Sequence, residues 1–203
     1  MIQIFNKMCI YENNETKIYG QYQRIKPNNI TIEKIPPEST NIEQIPCQLV
    51  FCDNRDDFFI KFYGKLDQIN IHLHYNKGTR SAKFTLTYPF ENCNINLERN
   101  KSAIISTICK DYSHRLEEWI KYNLKLGFTG IVIFNNSGNK ANGLNEPLEN
   151  CATNIPMEEI CNKYKDRVIL IDCPYSPFPN NHWNNIQRIT LHIGINAFMN
   201  KCK

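Results

Sequence analysis

Ser102-Ala-Ile-Ile-Ser-Thr-Ile-Cys-Lys-Asp-Tyr-Ser-His-Arg-Leu-Glu-Glu-Trp-Ile-Lys-Tyr-Asn-Leu-Lys-Leu-Gly127, with Ile131-Val-Ile-Phe-Asn-Asn-Ser137 close behind it, changes its apolar period twice. Ala103–Cys109 is a mostly apolar run without alternation, as expected of a strand buried on both faces of a parallel sheet. Leu116, Trp119, Ile120, Leu124 and Leu126 then recur at helical spacing. Asp111 or Ser113 can cap that helix, Glu117 and Glu118 lie near its positive end, and Gly127 stands where a terminating glycine belongs. Ile131–Phe134 predicts a second strand, and Asn135–Asn139 a loop at its carboxyl end. Pro156 suits the first turn of a helix reaching about Tyr164. Val168–Cys173 predicts a third strand. Trp183 to about Met199 predicts a third helix, apolar on more than one side and so expected between layers. Strand and helix in alternation imply an α/β sheet with right-handed crossovers. Ligands of such sheets bind outside the carboxyl ends of the strands. That rule selects Thr107–Tyr112, Asn135–Asn139 and Cys173–His182.

Residues 1 to about 100 read differently. Ile69, Ile71, Leu73 and Tyr75 alternate with polar residues, and so do Ala82, Phe84, Leu86 and Tyr88. Asn76-Lys77-Gly78 supplies the turn between these two half-buried strands. Weaker strands fall at 17–25, 30–35, 47–52 and 58–63, with Pro36-Pro37 and Pro46 in the gaps. Six to eight short strands in about 100 residues predict a β-sandwich of immunoglobulin-like build. His72 and His74 share one strand face at a spacing a metal could use, but no third ligand is near, and a polar outer face accounts for them. The fold class is therefore a two-part α+β chain. A β-sandwich domain spans 1–100 and an α/β half spans 101–203; that this half is an incomplete, Rossmann-like nucleotide-binding domain is what the family resemblance given below implies.

Composition narrows the partners. Twenty-four Lys and Arg stand against 20 Asp and Glu, a net charge of +4 without a basic run, so nucleic acid is not an expected partner. No apolar stretch approaches the roughly 18 residues of a membrane span. The start lacks the pattern of a signal peptide, so no membrane span and a cytoplasmic location are expected. Nine cysteines, an odd number with no C-x-x-C pair, read as reduced and mostly buried thiols. Twenty-eight asparagines, with abundant Ile and Lys, have the look of AT-rich coding sequence and discount the four Asn-x-Ser/Thr matches.

The block from Ser102 to Gly127, with Ile131–Ser137, resembles the start of the catalytic domain of family-92 glycosyltransferases, a family-2-like group with a GT-A fold. The family pattern is an apolar strand, K-N/D-E, L-x-E-W-I-x-Y-H-x-x-L-G, and an apolar strand ending in D-N-x-S. Lys110, Asp111, Leu116, Glu118, Trp119, Ile120, Tyr122, Leu126, Gly127, Asn136 and Ser137 match it. Trp183-Asn-Asn-Ile-Gln187-Arg188 resembles the family's W-x-x-x-Q-R/x helix. The chain departs at three positions: Tyr112 replaces an acidic residue, Asn123 a His and Asn135 an Asp.

The resemblance implies transfer of a sugar from a nucleotide-diphosphate donor to the hydroxyl of a glycan acceptor. It makes Thr107, Lys110 and Asp111 nucleotide contacts, sets Asn135 and Asn136 toward the base or ribose, and puts Gln187 and Arg188 on the helix before the metal site. It also implies a divalent cation, Mn²⁺ or Mg²⁺, held by a D-x-D motif. The aspartates are 53, 56, 57, 67, 111, 166 and 172, and no two are separated by one residue. No catalytic base or metal ligand is assigned, and the chain is expected to be truncated before D-x-D and inactive or weak on its own.

Blander readings stand beside these. Lys110 and Asp111 also fit a solvated turn, Asn135–Asn139 an ordinary loop, and Trp119, Trp183 and Gln187 packing. The alternative function is a non-catalytic module binding glycan or protein on a relic nucleotide-sugar fold. An incomplete half-sheet also predicts self-association through its exposed edge.

Overall fold

The computed structural model describes residues 1–35, 42–52, 56–91, 95, 97, 102–110, 113–137, 156–179 and 182–199. The chain forms two compact units, Met1–Glu91 and Asn92–Lys203. The first is built from antiparallel strands and the second from parallel strands and helices, which makes the whole a mixed α+β chain.

Unit 1 contains β1 (Ile2–Ile4), β2 (Ile10–Glu12), β3 (Glu15–Tyr22), β4 (Asn29–Lys34), β5 (Glu43–Ile45), β6 (Cys47–Phe51), β7 (Asp57–Tyr63), β8 (Gln68–Tyr75) and β9 (Gly78–Thr85). One sheet runs β1-β3-β7-β6 with β2 on β3, and the other runs β5-β4-β8-β9. Alternate residues of both sheets turn inward to one cluster, with Ile18, Phe58, Ile60 and Phe62 from the first and Ile30, Ile32, Ile69, Ile71 and Leu73 from the second. Period-two patterning placed these side chains, since one strand face must leave water.

The outer face of β8 is polar, as its histidines predict. His72 Nδ1 is 2.6 Å from Ser81 Oγ and His72 Nε2 is 2.9 Å from Glu33. His74 meets Thr31 and Thr79, each at 3.0 Å. β9 differs from the half-buried strand expected at 82–88. It is an exposed edge strand that ends at Thr85, and Leu86 and Tyr88 are buried beyond its end. Tyr88 Oη donates to Leu66 O at 2.7 Å, which holds this return segment in place.

Unit 2 contains β10 (Ile104–Cys109), α1 (Ser113–Lys125), β11 (Gly130–Asn135), α2 (Met157–Asn162), β12 (Val168–Asp172) and α3 (Asn184–Phe198). The strands are parallel in the order β10-β11-β12. β11 is central and buried almost throughout, whereas every residue of β10, at the edge, is only half-buried. Leu116 and Ile120 of α1 with Met157, Ile160 and Cys161 of α2 cover Ile131 and Ile133 on one face. α3 packs on the other, where Gly194 lets Ser106 and Phe134 approach its backbone.

Helix α1 ends as its glycine predicts. Gly127 has φ +98°, its N–H donates to Leu124 O at 3.2 Å, and Phe128 N donates to Asn123 O at 3.2 Å. These two bonds are those of the Schellman motif. Leu126, expected on the apolar face, lies past the last helical turn and is exposed, and buried Asn123 completes the inner stripe. Its Nδ2 donates to Trp119 O at 2.8 Å. α3 buries one stripe only, and Leu191, Ile195 and Met199 stay exposed on its other side. Among the described residues no helix is long and apolar enough to cross a membrane.

The six described cysteines are thiols; Cys93, Cys151 and Cys202 lie outside the described residues. Burial pushes the thiols of Cys9, Cys161 and Cys173 up to about 12. At pH 8 very little of each is then thiolate, the reactive form. Labelling with a disulfide reagent, mapped by mass spectrometry, is expected to leave these three unmodified in native buffer and to modify them in denaturant. Native modification of Cys173 at the rate of a free thiol would show that the end of β12 is open.

Candidate functional site

Three parallel strand ends meet at one side of unit 2. Their backbones are stitched there: Asn136 N donates to Cys109 O and Cys173 N to Asn135 O, each at 2.8 Å. A cleft of about 740 Å³ opens beside them, within the ~300–1,000 Å³ of small-molecule sites. Thr107, Ile108, Cys109 and Lys110 line it from the end of β10 and Asn136 from the end of β11. Arg115, Leu116, Glu118, Trp119 and Tyr122 line it from α1, and Trp183 and Gln187 from the start of α3.

The charges of the cleft are set by Lys110 and Arg115 against Glu118, the one carboxylate among these lining residues. Lys110 Nζ stands 4.2 Å from the Trp183 ring centroid, a cation–π contact that holds the ammonium at the strand end. Trp119 both packs against the α1–α2 cluster and lines the cleft, so packing and platform readings coexist. Glu117 belongs elsewhere. It pairs with Lys163 and with Lys121, each at 3.0 Å, and accepts from Tyr164 Oη at 3.2 Å, which ties α1 to the segment that follows α2. Hydrogen bonds from Lys163, then Lys121, hold its carboxyl down to about 2.

Asn136 is the most constrained of the lining residues. It is 1% exposed, and its Nδ2 donates to Cys173 O and, at 2.9 Å, to Tyr175 O. Two carbonyl acceptors on one side fix which end of the amide is nitrogen. Its Oδ1 is therefore turned from them, and it is buried with no hydrogen-bond partner among the described residues. A buried acceptor left unpaired costs about 1–3 kcal/mol. An N–H or O–H brought by a ligand would recover that.

The structure thus brings Thr107, Lys110, Asn136 and Gln187 to one cleft. Asn135 is elsewhere: its Nδ2 donates to Glu158 of α2 at 3.2 Å and its Oδ1 accepts from Ser137 N at 3.0 Å. Arg188 follows Gln187 on α3, half-buried, and is not among the lining residues. Asp111 lies outside the described residues, as do Tyr112, Gly138 and Asn139. Arg115 and Tyr122 do not stand out in the sequence as site residues, although with Glu118 and Trp119 they form an i, i+3, i+4, i+7 stripe that marks one helix face.

Among the described residues no group of three His, Cys, Asp or Glu side chains could hold a cation. These residues do not fit the Mn²⁺ or Mg²⁺ that the resemblance implies. No protein-family model matches the chain, and no curated protein matches it.

Proposed function

We propose that unit 2 is the donor-binding part of a glycosyltransferase of the family-92 type, and that its cleft takes a nucleoside diphosphate sugar. One observation carries this reading: Lys110, Thr107 and the orphaned acceptor of Asn136 share a cleft at the carboxyl ends of adjacent parallel strands. Ligands of doubly wound sheets bind at that end. The strand order β10-β11-β12 fits one half of such a sheet. In this reading Lys110 and Arg115 face the diphosphate, the group on which negative charge builds as the bond to the sugar breaks. Asn136 Oδ1 accepts an N–H from the base, and Trp183 and Trp119 supply apolar walls. Asp111, by the resemblance, joins the nucleotide contacts. Transfer itself needs a base for the acceptor hydroxyl, and no residue is assigned to that role.

For unit 1 we propose an immunoglobulin-like sandwich. With β2 set aside as an extra strand on β3, the remaining strands in chain order take the letters A, B, C, C′, D, E, F and G. The two sheets are then ABED and C′CFG, the arrangement of that fold. Strands B and F carry no cysteine; Ile18 of B and Ile71 of F lie in the shared apolar core.

A thermal-shift titration of the full chain tests the donor site. A ligand at about ten times its dissociation constant stabilises by ~1.4 kcal/mol, which for a chain of this length raises Tm by roughly 3–6 °C. UDP or GDP is expected to give such a rise, uridine and guanosine a smaller one, and Lys110→Ala with Arg115→Ala none. Absence of any shift with millimolar UDP, GDP and their sugars removes the proposal.

A further inference from the structure

The end of unit 1 nearest the β8–β9 turn carries a second cleft, of about 450 Å³. Three features of its lining point the same way. It holds three cationic side chains, Lys26, Lys77 and Arg80, and no carboxylate. Among the described residues none of the three has a carboxylate partner, although Lys34, Lys61 and Lys65 of the same unit do. The backbone also brings the cations to one place: Lys26 Nζ lies 3.7 Å from the Phe51 ring centroid, Lys77 sits in the two-residue turn closed by the Tyr75–Gly78 pair, and Arg80 stands in the strand beyond it opposite Leu73, the last two side chains being exposed.

The rest of the lining is amphipathic. Tyr75 and Ile25 give apolar surface, and Asn28, Asn76 and Thr79 give amide and hydroxyl groups. Asn28 N donates to His74 O at 2.8 Å and Asn28 Nδ2 donates to Asn76 Oδ1, so the connection from β3 to β4 is bonded to the β8–β9 turn. The cleft is a joined structure, not two loops in passing.

We propose that this cleft binds an anionic ester group, sulfate or phosphate, carried on a sugar-sized polyhydroxylated body. The three cations converge on the anion. Such charge-assisted bonds are about twice as strong as neutral ones, and an Arg fork matches a tetrahedral oxyanion. The amide and hydroxyl groups pair with the hydroxyls of the carrier, and Tyr75 and Ile25 cover its apolar face. Convex apolar loops flanked by cations also suit a membrane surface, but concavity and the paired asparagines favour the small ligand.

Calorimetric titration of the full chain with a heparin disaccharide and with glucose 6-phosphate distinguishes the two ester sources, and inorganic phosphate reports the anion alone. Binding by at least one of the two sugars, tighter than inorganic phosphate, is expected. Lys77→Ala with Arg80→Ala should weaken it by about 100-fold, roughly tenfold for each charge-assisted bond removed. Both residues are exposed, so folding should persist, checked by circular dichroism. Lys83→Ala removes the same charge from the opposite side-chain parity of β9 and should leave binding unchanged, as should Lys110→Ala in the cleft of unit 2. The proposal falls if neither sugar binds, or if Lys83→Ala or Lys110→Ala weakens binding as much as the double variant. It also falls if anionic phosphatidylserine vesicles bind while both sugars fail.

Discussion

Gly20→Ala is expected to destabilise unit 1 by about 3 kcal/mol or more, the largest effect of any single methyl addition in the antiparallel sheets. Gly20 sits in β3, a strand paired on both sides, directly opposite Phe58 of β7. Phe58 is fully buried and its ring crosses the glycine. A Cβ at residue 20 would meet the Phe58 ring at Cζ, at Cε2 (2.6 Å) and at Cε1 (2.9 Å). Real Cβ atoms do not come so close, so the ring must leave its rotamer. That loosens its tilted contact with Phe51, 6.2 Å between centroids. An aromatic ring laid over a cross-strand glycine is a known way to pin register. A loss of this size is a large share of the ~5–15 kcal/mol that holds a typical domain.

Urea unfolding, with hydrogen exchange read at the β3 and β7 amides, measures the effect. Two controls separate clash from backbone. Gly64→Ala adds a methyl into open space but at φ +89°, and should cost only about 1–2 kcal/mol from backbone strain. Gly20→Ala combined with Phe58→Leu should cost less than the sum of the two singles, because the smaller side chain vacates the space. A loss below about 0.5 kcal/mol for Gly20→Ala would mean that the ring lies elsewhere.

The parts of this fold that could be read from the chain are those in which one period persists. β8 alternates inward and outward along its length, and α1 shows Leu116 and Ile120 one turn apart with a glycine at the end. Both stand where their spacing put them. β1, β2 and β5 have three residues each, too few for alternation to register, and they form because longer neighbours present unpaired edges. β10 reads as apolar on both faces and is half-buried, since burial depends on position in the sheet and not on the run itself.

The site was legible to the same degree. Strand ends selected Thr107, Lys110 and Asn136 by rule, but two neighbours leaving one strand point to opposite faces. Of the adjacent Asn135 and Asn136, the first turns to Glu158 and the second to the cleft. The stacking of Lys110 on Trp183 joins residues distant in the chain, and no local pattern carries it.

Asn136→Asp is expected to cost about 3–5 kcal/mol at pH 8, the usual penalty of an uncompensated buried charge. The amide nitrogen faces Cys173 O and Tyr175 O, and a carboxylate there sets oxygen against oxygen in a position 1% exposed. Burial and the two carbonyls disfavour the ionised form, so the folded-state pKa of the new group lies above its unfolded value. A raised pKa means that the variant keeps most of its stability below about pH 4, where both states are protonated, and loses it as pH rises.

Asn136→Ala leaves two carbonyls unpaired without adding charge, and should cost about 1–3 kcal/mol with little dependence on pH. Both changes remove the side-chain tie from the end of β11 to Cys173 O and Tyr175 O, beside the cleft. The chain's two tryptophans, Trp119 and Trp183, both line that cleft, so their fluorescence reports the transition of unit 2. Equal losses for Asn136→Asp at pH 4 and pH 8 would show that residue 136 is solvated, and with it the claim that a buried acceptor waits in the cleft for a donor would go.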